Sequence, residues 1–199
     1  MSKLNLVQLA GVHHTARPTW KLKETVEFYR DRMGLKLVHA ISAKGWGPEG
    51  HPDFLHFFFD SGQGSTIAFF YYIGVAQPDH LRHRVSWDGD SVHTSWRVDR
   101  PEALDEWRQW LESRGVKVFM RVQHELIDSI YFRDPNDYLL EITHPLRPMG
   151  DLDASDAELT LRAAMDAETD AASGAADFSD IETVWRRKAA LVRILEEGS

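Results

Sequence analysis

The amino-acid sequence predicts an α+β protein: two β-α-β-β-β modules paired in one domain, followed by a helical C-terminal extension. Three observations predict it. The same order of strand-like and helical runs occurs twice along the chain. Each repeat carries a His ahead of a helix that stops at a glycine: His14 precedes Gly34 by 20 residues, and His93 precedes Gly115 by 22. From about Met149 the composition shifts to Ala and Asp with little bulk. One such module leaves a sheet face uncovered, whereas two can bury it against each other. Residues 1–148 are therefore read as one domain, with modules at about 8–74 and 90–145, and 149–199 as the extension.

In the first module, "LAGVHHTAR" is a strand-like run ending near Pro18. "TWKLKETVEFYRDRMG" follows, with Trp20, Leu22, Val26, Phe28, Tyr29 and Met33 on one helical face, Thr19 as N-cap and Gly34 as stop. "LKLVHAIS" alternates as a strand. The Gly- and Pro-rich loop "AKGWGPEGHPD" precedes the strands "FLHFFFD" and "STIAFFYYIG". In the second module, "SVHTSWRV" is a strand with His93 inside it. "RPEALDEWRQWLESRG" is a helix with Asp99 as N-cap and Pro101 in its first turn. "VKVFMRVQ", "DSIYFR" and "YLLEITHP" complete the module as strands. The extension reads as helical with a break at Ser173-Gly174. Its last helix is expected to start at Ser179, with Glu182 completing a capping box.

Composition narrows the function. Hydrophobic residues make up 43% and charged residues 27% of 199, enough for a substantial core. The formal net charge of −8 argues against nucleic-acid and anionic-membrane partners, both of which need a basic face. With no Cys there are no disulfides, thiolate metal sites or cysteine nucleophiles, so any metal must be held by His, Asp or Glu. The start, "MSKLNLVQLAGV", is too polar for a signal peptide, and no run approaches a membrane span. The expectation is a soluble cytoplasmic protein.

Three residues stand out. A His on a strand is more often a satisfied core or edge residue than a ligand, but His14 and His93 occupy equivalent places in a repeat. Glu141 lies in an apolar run beside Leu139, Leu140 and Ile142 and needs a counter-charge. Two neutral imidazoles and a divalent ion would supply it. Aligning Asp60 with Asp134 puts Ile67 or Phe69 opposite Glu141, so the first module offers one ligand and the second two. Two His and one carboxylate leave metal positions open, as in non-haem Fe(II) sites. Fe(II) is the expected cofactor, with Mn(II) or another divalent metal as the alternative. Many Phe and Tyr residues on the first module's last two strands favour an apolar or aromatic ligand. Trp46 and His51, in the long loop, read either as a lid or as an ordinary exposed loop.

"HHTARPTWKLKETVEFYRDRMGLKLV" and "SIYFRDPNDYLLEI", set in this repeat, resemble the vicinal oxygen chelate superfamily. That superfamily includes glyoxalase I, type I extradiol ring-cleaving dioxygenases, bleomycin-resistance proteins, epimerases and fosfomycin-resistance enzymes. The resemblance covers about Leu9 to Pro145. It implies a curved, barrel-like mixed sheet, with His14, His93 and Glu141 as metal ligands. Glyoxalase-like members usually carry a fourth ligand where this chain has an apolar residue. The three-ligand pattern is similar to extradiol dioxygenases, which place a substrate-binding Tyr ten residues before the ligand Glu, as Tyr131 stands here. The alternative for Tyr131 is a strand aromatic with its hydroxyl at a wet edge. Those enzymes also carry an acid–base His on a strand where this chain has none. His56, one strand away, is the substitute, or else simply a His packed among Phe residues. The resemblance thus implies a homodimeric, metal-dependent enzyme acting on a small vicinal-dioxygen substrate, with extradiol cleavage of a catecholic ring the leading activity. The alternatives are an isomerase- or epimerase-type metalloenzyme without O₂, and a metal-free protein that binds an aromatic ligand.

Overall fold

The computed structural model describes residues 10–82 and 85–197. These fall into two compact units, one ending at Leu146 and one starting at Arg147. The first unit is α+β and follows the expected repeat. Module one runs β1 (His14–Pro18), α1 (Leu22–Glu27), β2 (Leu37–Ala43), β3 (Phe54–Gly62) and β4 (Ser65–Tyr72). A short helical turn, α2 (Trp87–Asp90), leads into module two: β5 (Thr94–Arg97), α3 (Glu102–Ser113), β6 (Met120–Gln123), β7 (Ile127–Arg133) and β8 (Leu139–Pro145). Each module makes a four-stranded mixed sheet, ordered β1-β4-β3-β2 and β5-β8-β7-β6. In each, only the outer pair is parallel. Among the described residues no ladder joins the two sheets, so they form two sheets and not a closed barrel.

Period-two alternation decides which face of each strand is buried. Phe57, Phe59, Ile67 and Phe69 of one sheet and Ile130, Phe132, Leu140 and Ile142 of the other join Phe28, Tyr29, Met33, Leu104 and Leu111 in a single core. Tyr29 lies 4.7 Å from the Phe69 ring and 5.6 Å from Phe59. The opposite faces carry His14, His56, Phe58 and Phe70 on one sheet, and Ser95, Tyr131 and Glu141 on the other.

Polar bonds tie the modules together around the "DPND" turn between β7 and β8. Asp134, 4% exposed, accepts from the Tyr29 hydroxyl at 3.1 Å and from the backbone N–H groups of Asn136 and Tyr138. Asn136 accepts from Thr19 Oγ1 at 2.8 Å and donates to Thr25 Oγ1 at 3.0 Å. Tyr138 donates to the Pro18 carbonyl, and the Arg17 guanidinium meets Thr94 Oγ1.

Several local expectations change. Thr19 does not cap α1; the cap position is Lys21, and Thr19 is wholly buried in the knot with Asn136 and Thr25. Helix α1 is shorter than read and continues as a wide π-helical turn, Phe28–Arg32, closed by Met33 N–H to the Phe28 carbonyl. Asp99 does not cap α3, because Pro101 holds that place. His93 lies just before β5 and not inside it.

The second unit pairs α4 (Asp151–Ala172) with α5 (Glu182–Glu197), broken at Ser173-Gly174 as read. Arg187 and Lys188 reach Asp170 and Asp156 across the pair. Asp180, and not Ser179, accepts the Thr183 N–H at the start of α5. Among the described residues no helix is long and apolar enough to cross a membrane.

Candidate functional site

Glu141 sits on β8 with β5 on one side and β7 on the other, directly opposite Ser95 and Tyr131. It is 3% exposed yet surrounded by donors. The Tyr131 hydroxyl donates to Glu141 Oε1 at 3.0 Å, and His93 Nε2 lies 3.1 Å from Oε2. Burial pushes the Glu141 carboxyl up. The hydroxyls of Ser129, Tyr131 and Ser95, together with His93, overcome it and hold the carboxyl below its ordinary range.

The His93 ring is oriented by its second nitrogen. Nδ1 lies 3.0 Å from the Asp90 carbonyl, which can only accept, so Nδ1 carries the proton. In the neutral ring Nε2 then presents a lone pair to a carboxylate oxygen. Two acceptors at 3.1 Å need a positive charge between them: a second ring proton or a metal ion. Two ligand atoms at cis positions, each about 2.1 Å from a divalent ion, are separated by about 3 Å.

Behind Glu141 the chain of donors continues. Tyr131 gives its proton to Glu141, so its oxygen accepts from His124 Nε2–H at 3.1 Å. No sequence motif marks His124 for this role. It lies seven residues before Tyr131, just past the end of β6, the strand next to β7. Ser95 was legible as a same-face neighbour of His93, and Ser129 alternates with Tyr131, but neither was read as a partner of Glu141.

The first module supplies an aromatic, imidazole-rich face. His56 is 7% exposed, and its Nδ1 donates to the Phe69 carbonyl at 3.1 Å. Its ring stacks on Phe70 at 3.7 Å and lies 4.2 Å from Phe58. Burial pushes the His56 pKa down, as do His14 and His39, so the ring is neutral at neutral pH with Nε2 left to accept. His14 lies on the same face, its ring 5.8 Å from Phe58 and 6.3 Å from His56, with Nδ1 at 2.9 Å from His13 Nδ1. The structure thus brings His93, Glu141 and Tyr131 together, and His14 with His56. It does not gather His14 into the first group: among the described residues no three His, Asp or Glu side chains are grouped as a metal needs. Of the His residues without an assigned part, His144 bonds the Val98 carbonyl, and His83 lies outside the described residues.

Strand register also corrects the counterpart of Glu141. Ala16 pairs with Ala68 as Ser95 pairs with Glu141, and Phe58 pairs with Ala68 as Tyr131 pairs with Glu141. The equivalent residue is Ala68, not Ile67 or Phe69, which point into the core. His14 and His93 are equivalent in the same register. The first module therefore keeps the His but replaces the acid by Ala and the Tyr hydroxyl by nothing.

A model of the glyoxalase/bleomycin resistance protein/dioxygenase superfamily matches residues 11–142. The chain belongs to this superfamily. Similar solved structures include SMU.1112c, with 20% identity and a TM-score of 0.53 over 68% of this chain and 99% of that one. A glyoxylase/bleomycin resistance protein/dioxygenase domain from Frankia sp. EAN1pec has 19% identity and a TM-score of 0.51, covering 71% and 96%. A lactoylglutathione lyase from Agrobacterium tumefaciens has 20% identity and a TM-score of 0.47, covering 68% and 94%. At these identities the likeness concerns the fold. No curated protein matches the chain. Members of the superfamily usually bind a divalent metal, and the donor chemistry of His93 and Glu141 fits one.

Proposed function

We propose that the protein is a divalent-metal enzyme acting on a vicinal-dioxygen substrate, and that the substrate is a catecholic ring cleaved in the extradiol manner. The observation that carries the metal is the pair itself. His93 Nδ1 is committed to the Asp90 carbonyl, which leaves Nε2 turned to the Glu141 carboxylate at 3.1 Å, a gap that a divalent ion would bridge. His93 and Glu141 would hold the ion, with His14 as the third ligand from the equivalent place in module one. When bound, Fe(II) supplies a charge that orients both catechol oxygens and a path for electrons to O₂.

The chain's own residues account for the rest. Tyr131, held between His124 and Glu141, keeps its hydroxyl at the edge of the carboxylate, where it can hold a substrate oxygen. His56, neutral and with Nε2 open, can take the proton of a catechol hydroxyl. Phe58 and Phe70 offer ring faces and edges to a planar aromatic substrate. No acid stands at Ala68, which disfavours a base placed there for isomerase chemistry.

The test is anaerobic purification, metal identification and O₂ uptake with a panel of catechols. Iron with O₂ consumption supports ring cleavage. Tightly held metal without O₂ use moves the reading to an isomerase or epimerase. No metal, and aromatic binding unchanged by His14→Ala, leaves a binding protein and overturns the proposal.

A further inference from the structure

His93 is not fixed by the ladder that fixes its neighbours. Sheet pairing begins one residue later, at Thr94 with Leu140. What aims the imidazole is the bond from Nδ1 to the carbonyl of Asp90, the last residue of α2. Asp90 is itself gripped from β7. Arg133 donates through Nη1 to Oδ1 at 2.8 Å and through Nη2 to Oδ2 at 2.7 Å, a planar two-point contact. Both side chains are largely shielded, 19% and 27% exposed, so water screens the pair less than at an open surface. Arg133 is fixed in turn by the Asp137 carbonyl at 2.9 Å and by the Phe119 ring beneath it. The guanidinium thus ties the segment between the modules to the strand that carries Tyr131.

We propose that Arg133 is a positioning residue for the site: through Asp90 it holds His93 Nε2 against Glu141. This rests on the metal reading above. Arg133 bonds the Asp90 carboxylate and the Asp137 carbonyl, and through Asp90 it fixes the carbonyl that sets the His93 tautomer and direction. Lys at 133 would offer one point of contact and no fork, so the pairing needs Arg.

The experiment uses the full chain and Co(II) as probe, with affinity read from its ligand-field absorption. Arg133→Lys and Asp90→Asn are each expected to weaken Co(II) binding about 10- to 100-fold, the usual cost of losing a partner behind a metal ligand. Far-UV circular dichroism should stay unchanged. In a His93→Ala background, adding Arg133→Lys should change the affinity less than about twofold, because Arg133 acts only through His93. Wild-type affinity in Arg133→Lys, or an equal further loss in the His93→Ala background, overturns the proposal. Failure of the metal reading shows differently: the wild-type protein takes no Co(II), or His93→Ala takes it as tightly. The imidazole ¹⁵N spectrum of metal-free protein then decides. A hydrogen-bonded, slowly exchanging His93 Nδ1–H that becomes freely exchanging in Arg133→Lys upholds the positioning role, and an unchanged spectrum overturns it.

Discussion

Replacing Asn136 by Ala removes the centre of the inter-module knot. Its side chain makes three bonds: from Thr19 Oγ1 at 2.8 Å, to Thr25 Oγ1 at 3.0 Å and to Asp134 Oδ2 at 3.2 Å. Two are neutral bonds, worth about 1 kcal/mol each, and one goes to a carboxylate, worth about 1.5–3 kcal/mol. Thr19 and Thr25, both wholly buried, still have each other at 2.9 Å, which limits the penalty of stranded hydroxyls. The expected loss is about 3.5–5 kcal/mol, or about 7–20 °C in melting temperature for a domain of this size. Urea and thermal unfolding followed by Trp fluorescence measure it. Asn136→Asp is the internal control. It sets a second carboxylate beside Asp134, where burial already lifts the carboxyl pKa. The folded pair then binds protons more tightly than the unfolded chain. Its destabilisation should grow as pH rises through the folded pKa and ease on acidification. A loss below about 0.5 kcal/mol for Asn136→Ala, or Asn136→Asp no worse than Ala at neutral pH, refutes the reasoning.

Tyr131→Phe removes a hydrogen bond to Glu141 and should weaken metal binding about 10-fold; at saturating metal it should also lower kcat/KM for catechols by about 10- to 100-fold in steady-state O₂ uptake. Gly47→Ala should loosen the long loop. Gly47 has φ +113, and an added Cβ would stand 2.8 Å from His51 Cγ, so susceptibility to proteolysis near Trp46 should rise. Asp128, held low chiefly by its bonds to Arg121, contributes stability above the ordinary carboxylate range that is lost as pH falls through its folded pKa. Asp128→Asn should therefore cost about 0.5–1 kcal/mol at pH 7 in urea unfolding and nothing in strong acid.

Much of the architecture could be read from the chain because period and punctuation are local signals. The repeat, the helices stopping at Gly34 and Gly115, and the break at Ser173-Gly174 all follow from residues close in sequence. Glu141 was also legible, since an acid in an apolar run demands partners, and His93 and Tyr131 are among them. What escaped depends on contacts between distant segments. Thr19 looks like a helix cap until Asn136, 117 residues on, takes its hydroxyl. Anchoring the repeat on the two turn residues Asp60 and Asp134 displaces the counterpart of Glu141 by one residue. Ladder register sets Asp60 against Arg133 instead, and a shift of one moves every side chain to the other face. The alternation in "SVHTSWRV" predicts a strand through His93, whereas β5 starts at Thr94. The ion pair that holds it from β7 has no signature in the sequence.

The most direct test of the central claim is the metal content of anaerobically purified protein, measured for wild type and for Glu141→Ala, His93→Ala and His14→Ala. The account expects about one divalent ion per chain in wild type, lost or strongly reduced in each variant. Wild-type protein free of metal after reconstitution, or a Glu141→Ala variant that retains the full complement, would contradict it.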